Sequence, residues 1–232
     1  NPKISLVRKG VALCRREGLD FVLAVGGGSV IDSAKAIAMG AATGRDPWEF
    51  ASTGTRPDKT LPVATVLTLA ASGSETSNSC VLTNEETKEK RGITSETNRP
   101  VISFLNPENT FTVSKFQTGC GIVDIMMHTL ERYLTPEGGE SDLTDRIAEG
   151  LLIAVRDAGR RAIADPRDYE ARATLMWAGS VSHNDYTGCG RKRLFPVHKL
   201  EHELSAFRDE IAHGAGLSVL FPAWAEHEMP YD

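Results

Sequence analysis

Asp124 and His128 stand four residues apart, as do His198 and His202, and His213 follows soon after. On a helix that spacing puts both side chains of a pair on one face, about one turn apart, as two ligands of a single ion require. Carboxylate and imidazole without thiolate suit a first-row divalent ion such as Fe(II) or Zn(II), and the order of affinities does not choose between them. Either pair alone also reads as structural or solvent-facing. The gathering of an Asp and three or four His in one stretch of chain is what points to a metal site. His183 and His227 fall at expected helix ends and read as bystanders.

A second chemistry sits upstream. Gly26-Gly27-Gly28-Ser29 follows the apolar run Asp20–Val25 and opens a helical pattern. A strand-to-helix turn of this kind presents unpaired backbone N–H groups and a positive dipole end to a phosphate, and glycine lets the anion come close. A tight turn with no ligand is the plainer reading. The spacing is not GxGxxG, so the ordinary dinucleotide fingerprint does not apply. The loop Ser72-Gly73-Ser74-Glu75-Thr76-Ser77 offers several hydroxyls that could touch the same cofactor. Lys90, beyond a turn, reads either as a phosphate or ribose contact or as a solvated charge.

The elements that must position these groups are legible in outline. Ile4, Val7, Val11 and Cys14 predict a helix, Asp20–Val25 a buried strand, and the run from Ser29 a second helix. Leu61–Thr68 and Pro100–Leu105 predict further strands, and Asn78–Thr94 a hairpin. From there on the periodicity is helical, with helices predicted at Val113–Tyr133, Ser141–Ala164, Arg167–His183, Pro196–Phe207 and Gly214–His227. Asp165 as cap and Pro166 at the first helical position mark the start of the third. The expected fold is therefore an α/β, Rossmann-like nucleotide-binding part with a parallel sheet over residues 1–111, then an all-α metal and substrate part over residues 112–232.

Composition narrows the classes of function. The 232 residues are 41% hydrophobic, enough for a sizeable core, and the net charge of -5 with scattered basic residues gives no footprint for nucleic acid or anionic lipid. No apolar run has the length of a membrane-spanning helix. Cys14, Cys80, Cys120 and Cys189 form no CxxC pair, which argues against a zinc ribbon or a disulfide framework and fits a reducing cytoplasm. The chain opens at Asn1-Pro2 without a methionine and stops without a closing element, so both ends of a longer protein are expected to be missing.

Taken together, GGGSVIDSAKAIA from Gly26, LTLAASGSETSN from Leu67, GIVDIMMHTLERYLT from Gly121, HKLEHELSAF from His198 and AHGAGLSVLFPAW from Ala212 resemble the iron-containing alcohol dehydrogenase family, in its butanol dehydrogenase and aldehyde reductase branch. The resemblance runs over nearly the whole chain. It implies a dehydroquinate synthase-like, two-domain enzyme, a homodimer, with Asp124, His128, His198 and His213 as metal ligands and His202 as the catalytic side chain beside the substrate. It places NAD or NADP at Gly26, Gly27, Gly28 and Ser29, with Asp32, Thr68, Ser72 and Lys90 near it. A divalent Fe2+ or Zn2+ would then polarise the oxygen of a small alcohol or aldehyde while the nicotinamide exchanges hydride with its carbon, and His202 would relay the proton. No tyrosine–lysine pair of the short-chain dehydrogenase kind is present to do that work. The stretch from His202 to His213 is one residue longer than the family pattern. The strands that would hold the adenosine end, where NAD and NADP are told apart, would lie upstream of residue 1.

Three rivals stand beside this reading. His198-Lys199-Leu200-Glu201-His202 spells H-x-x-E-H, the inverted zincin signature of a zinc metallohydrolase with Glu201 as general base. Glycerol dehydrogenase and dehydroquinate synthase share the architecture with other reactions. An inactive nucleotide-binding module is the third.

Overall fold

The computed structural model describes residues 1–134, 141–192 and 194–228. The first half alternates helix and strand: α1 (Ile4–Glu17), β1 (Val22–Gly26), α2 (Gly28–Thr43), α3 (Pro47–Thr53), β2 (Val63–Leu67), the hairpin β3 (Ser79–Asn84) and β4 (Glu89–Thr94), and β5 (Ile102–Phe104). β1, β2 and β5 form a parallel sheet in that order, with Val22 opposite Val63, Gly26 opposite Leu67 and Ala64 opposite Ile102. Parallel neighbours need crossovers, and the α2–α3 stretch supplies the first. β3 and β4 pair antiparallel from Ser79–Thr94 to Asn84–Glu89, as the hairpin expectation required.

Helices make up the second half: α4 (Lys115–Tyr133), α5 (Asp142–Ala164), α6 (Tyr169–His183), α7 (Pro196–Phe207) and α8 (His213–Glu228). Ile125, Val155, Ala158, Ala171 and Leu175 form the core between α4, α5 and α6. Met127, Val197 and Leu217 do the same for α4, α7 and α8. Met176 of α6 leaves its own bundle and joins Ala24, Ile31, Ala34, Val63 and Leu67 under the sheet, so one apolar core crosses between the halves. Among the described residues, no helix is long and apolar enough to cross a membrane. The α/β part with a parallel sheet and the helical part are as the sequence predicts.

Two local expectations change. The start of α6 is set by Asp168, whose carboxylate accepts from Ala171 N at 3.0 Å; the Asp165 carboxylate accepts from Arg167 N, at 2.9 Å, in the turn that leaves α5. Asp168 is three residues from the amide it caps and is held by a two-pronged bond from Arg161, so it outcompetes the earlier Asp-Pro. The short helix α3 was not expected. It carries its own signs: Asp46 accepting from Trp48 N at 3.0 Å, Pro47 at the first position, and Gly54 at φ 70 closing it.

Two glycines decide how closely the site-bearing helices pack. A Cβ on Gly121 of α4 would lie 2.3 Å from the Ala70 carbonyl oxygen, and one on Gly214 of α8 would lie 2.1 Å from that of Cys120. Both obstacles are backbone, so neither can swing aside. Gly121→Ala and Gly214→Ala are each expected to cost about 1–3 kcal/mol in denaturant melts. Gly150→Ala, on the exposed face of α5 with nothing nearby, is expected to gain about 0.5–1 kcal/mol. Equal melting of all three would overturn this account of the packing.

Candidate active site

The metal-competent cluster is built on α4. Asp124, His128 and Glu131 recur at helical spacing on one buried face, because an α-helix returns to the same side every third or fourth residue. α7 brings His198 across, and α8 opens with His213. Asp124 Oδ1 lies 3.4 Å from His128 Nδ1, 3.5 Å from His198 Nε2 and 3.6 Å from His213 Nε2. Asp124 Oδ1, His128 Nδ1 and His198 Nε2 are buried and have no hydrogen-bond partner. Buried polar atoms left so are rare and costly. Their spacing matches the edges of a tetrahedron around one ion, which at metal–ligand distances of about 2.1 Å are about 3.4 Å long. The residues present therefore fit a divalent cation.

Each imidazole is held from behind. Glu131, fully buried, takes His198 Nδ1 at 2.5 Å and accepts from Val197 N at 3.0 Å, so one carboxylate both orients a donor and closes the open N-terminus of α7. Glu201 takes His213 Nδ1 in the same manner. The His128 ring is met edge-on by His183, centroids 4.2 Å apart.

Electrostatics follow from burial and neighbours. Burial, followed by the nearby histidines, holds His128 well below its ordinary pKa, so its ring stays neutral with a lone pair to give. Burial pulls His198 the same way, but Asp124 and Glu131 outweigh it and raise its pKa to about 9. Burial pushes the Asp124 carboxyl up, and His213 and His198 pull it below the usual carboxylate range. The two carboxylates thus draw positive charge to the cluster.

The cluster lines a cleft of about 1000 Å³ that the turn at Gly27, Gly28 and Ser29 also lines. Gly27 caps α2 without any side-chain bond, and no acidic residue occupies the first turn, so the leading amides remain open to an anion. Of the residues expected around a cofactor, Gly27, Gly28, Ser29, Asp32, Ser72 and Lys90 line this cleft. Gly26 and Thr68 sit behind it at the strand ends, with Thr68 N donating to Gly26 O at 3.1 Å. The Asp32 carboxylate is engaged by Ser74 Oγ at 2.5 Å and Val81 N at 3.0 Å. Lys90 is no solvated charge: it is buried, 3.3 Å from Glu201 and 2.9 Å from Ser205 Oγ.

His202 lines the cleft one turn from His198, its ring 5.6 Å from that of His213. Between His202 and His213 the chain makes a turn in which Ile211 N donates to Arg208 O, and His213 Nε2 comes within 3.6 Å of Asp124. His183, expected to be a bystander, is a correction: it lines the cleft, abuts His128 and lies 3.1 Å from Ser79 Oγ. Its position at a helix end gave no periodic partner to reveal it. His227 stays outside the cleft lining. Glu131 also went unnoticed in the sequence, although its register with Asp124 and His128 could have exposed it. The two histidines of H-x-x-E-H part company in space: His198 joins Asp124 and His128, whereas His202 gathers with Glu201 and His213, and Glu201, the general base that reading needs, is fully buried against His213 and Lys90.

Comparison with known proteins identifies the family. The model of iron-containing alcohol dehydrogenase matches residues 1–107, and that of the Fe-containing alcohol dehydrogenase family, C-terminal, matches residues 118–231. NADH-dependent butanol dehydrogenase A of Clostridium acetobutylicum is 44% identical over 232 residues, covering 100% of this chain and 59% of its own length. NADPH-dependent aldehyde reductase YqhD of Escherichia coli is 36% identical over 230 residues, 97% of this chain and 59% of its own. The crystal structure of NADH-dependent butanol dehydrogenase A from Thermotoga maritima superposes with a TM-score of 0.94 at 42% identity, over 97% of this chain and 56% of that one. The chain thus spans about three-fifths of the length of the curated relatives it matches. Two consecutive family models, a shared fold and a buried donor cluster facing a glycine turn establish that the chain belongs to the iron-containing alcohol dehydrogenase family.

Proposed function

We propose that this chain carries the reaction centre of a metal-dependent alcohol dehydrogenase or aldehyde reductase, acting between NAD(H) or NADP(H) and a small primary alcohol or aldehyde of the butanol and butanal kind. The observation that carries the reading is the single cleft with open helix amides on one wall and converging donors on the other. The names of the NADH-dependent butanol dehydrogenase and the NADPH-dependent aldehyde reductase support the cofactor and substrate class. Residues 1–111 serve the nucleotide and residues 112–232 the metal and substrate. A homodimer, from the family resemblance, and a cytoplasmic location, from four cysteines without a CxxC pair, belong to the same proposal.

Asp124, His128, His198 and His213 would hold Fe2+ or Zn2+, which would supply Lewis acidity toward the substrate oxygen, and the cleft would hold the nicotinamide that supplies the hydride chemistry. The amides at Gly28 and Ser29 bind the cofactor's phosphates. Glu131 and Glu201 fix which nitrogen of His198 and His213 faces the ion. His202 accepts or returns the substrate proton. Burial first, then Lys90, His213 and His198, lower its pKa well below the ordinary value, so its ring is neutral and able to accept near pH 7.

Chelation of the full-length protein is expected to abolish aldehyde-dependent NADH or NADPH oxidation, and Fe(II) or Zn(II) to restore it; turnover indifferent to chelators would end the metal reading. Glu131→Gln should weaken metal retention about 10–100-fold in a competition titration, and an unaltered affinity would remove its role. A group with a lowered pKa loses its neutral form only as pH falls through that value. His202→Ala should therefore lower kcat about 100-fold and flatten the acid limb of the pH–rate profile, and an unchanged profile would strip His202 of the proton.

A further inference from the structure

Lys35 is one of the largest fully buried side chains, and it sits on α2 beneath the nucleotide wall of the cleft. Its Nζ meets the carbonyl oxygens of Ser74 at 2.6 Å, Ser79 at 2.8 Å and Ser77 at 3.0 Å. The hydroxyls of Ser74 and Ser77 add contacts at 3.0 and 3.4 Å. An ammonium has three hydrogens, and three carbonyls surround it. A neutral amine would turn a lone pair against one of them, so the site is built for the charged form. Asp32, one turn earlier on α2, accepts from Ser74 Oγ and Val81 N on the same side; burial raises its pKa and lowers that of Lys35, and each draws the other back toward its charged form.

The segment so gathered has little regular bonding of its own. Between β2 and β3 the chain makes a single turn, with Thr76 N and Ser77 N both donating to Gly73 O. Gly73 holds φ 64 with its α-carbon pressed on α6, where a Cβ would fall 2.5 Å from the Gly179 carbonyl oxygen. Yet this segment forms much of the cleft wall. Ser72 lies so close to the phosphate turn that a Cβ on Gly28 would meet its Oγ at 2.2 Å, and Ser74, Ser77 and Ser79 line the cleft beyond it. Ser79 continues the chain of contacts to His183, whose ring abuts His128. Ser103 Oγ and Arg99 Nη1 hold the carbonyls of Glu75 and Thr76 from the outer side, and Lys35 gathers those of Ser74, Ser77 and Ser79 from within.

We propose that Lys35 is a positioning residue for the cofactor: its buried ammonium, neutralised by Asp32, folds the Ser72–Ser79 segment into the wall against which the nicotinamide nucleotide binds. It touches neither substrate nor metal, and its effect passes through the three carbonyls it holds. The proposal rests on the dehydrogenase reading above and adds a residue to it.

The test uses the full-length, metal-loaded protein with NADH and NADPH as probes. Lys35→Met keeps the length of the side chain and removes the charge and all three donors. The expected result is a Kd and a KM for the preferred nucleotide raised about tenfold or more. Metal content should stay unaltered, and kcat at saturating nucleotide should fall less than about threefold. Lys35→Arg keeps the charge but cannot aim its fork at three converging carbonyls, and should raise the same KM by a smaller factor. If Lys35→Met does not fold, Lys35→Arg decides alone. Wild-type nucleotide affinity in a folded variant, or a loss of kcat and metal with KM unmoved, would overturn the proposal. A wild-type protein that binds neither NADH nor NADPH would sink the dehydrogenase reading and this inference together, whereas normal binding by wild type and variants alike would sink only the inference.

Discussion

One oxygen atom organises this molecule. Asp124 Oδ1 is surrounded by three imidazole nitrogens at 3.4–3.6 Å and, like two of them, makes no hydrogen bond. Such a group of buried acceptors and lone pairs is unfavourable in a low-dielectric interior unless positive charge sits among them. The helical half can be understood as the apparatus that tolerates the arrangement. α4 spaces the aspartate and its first histidine, α7 and α8 deliver two more, and two further carboxylates stand behind the rings.

The same economy of charge governs the other wall. Open amides at the start of α2 carry partial positive charge toward the cleft, while the ammonium two turns along the helix is spent internally on carbonyls. Lys90 is treated alike, bound to Glu201 and Ser205 across the divide between hairpin and α7. These two lysines serve as internal struts, and the remaining basic groups are scattered in a slightly acidic chain.

How much could be seen in the chain beforehand depended on whether a residue's partner lay on its own element. Asp124 and His128 announce each other by helix arithmetic, and Gly26–Ser29 by the strand before and the helix after. The parallel sheet and the run of helices were likewise visible, because each rests on local periodicity. His183 and Lys35 depend on partners far away in sequence, Ser79 in one case and three loop carbonyls in the other, so one read as a bystander at a helix end and the other drew no notice inside its helix. The two Asp-Pro dipeptides teach the same lesson. Asp46 and Asp165 each bond the amide two residues on, but only the first begins a helix, because Asp168 and Arg161 take over that task at the second.

The unequal anchoring of the four donors has a consequence for ion choice. Asp124, His128 and His198 sit on interior turns or braced starts of helices and are nearly sealed from solvent, while the His213 side chain is 26% exposed and follows an irregular segment. A cation of slightly larger radius would thus be accommodated by a small swing of that one ring. Any tolerance of the proposed site toward ions of different size would then reside in that one compliant corner, the side that opens to solvent.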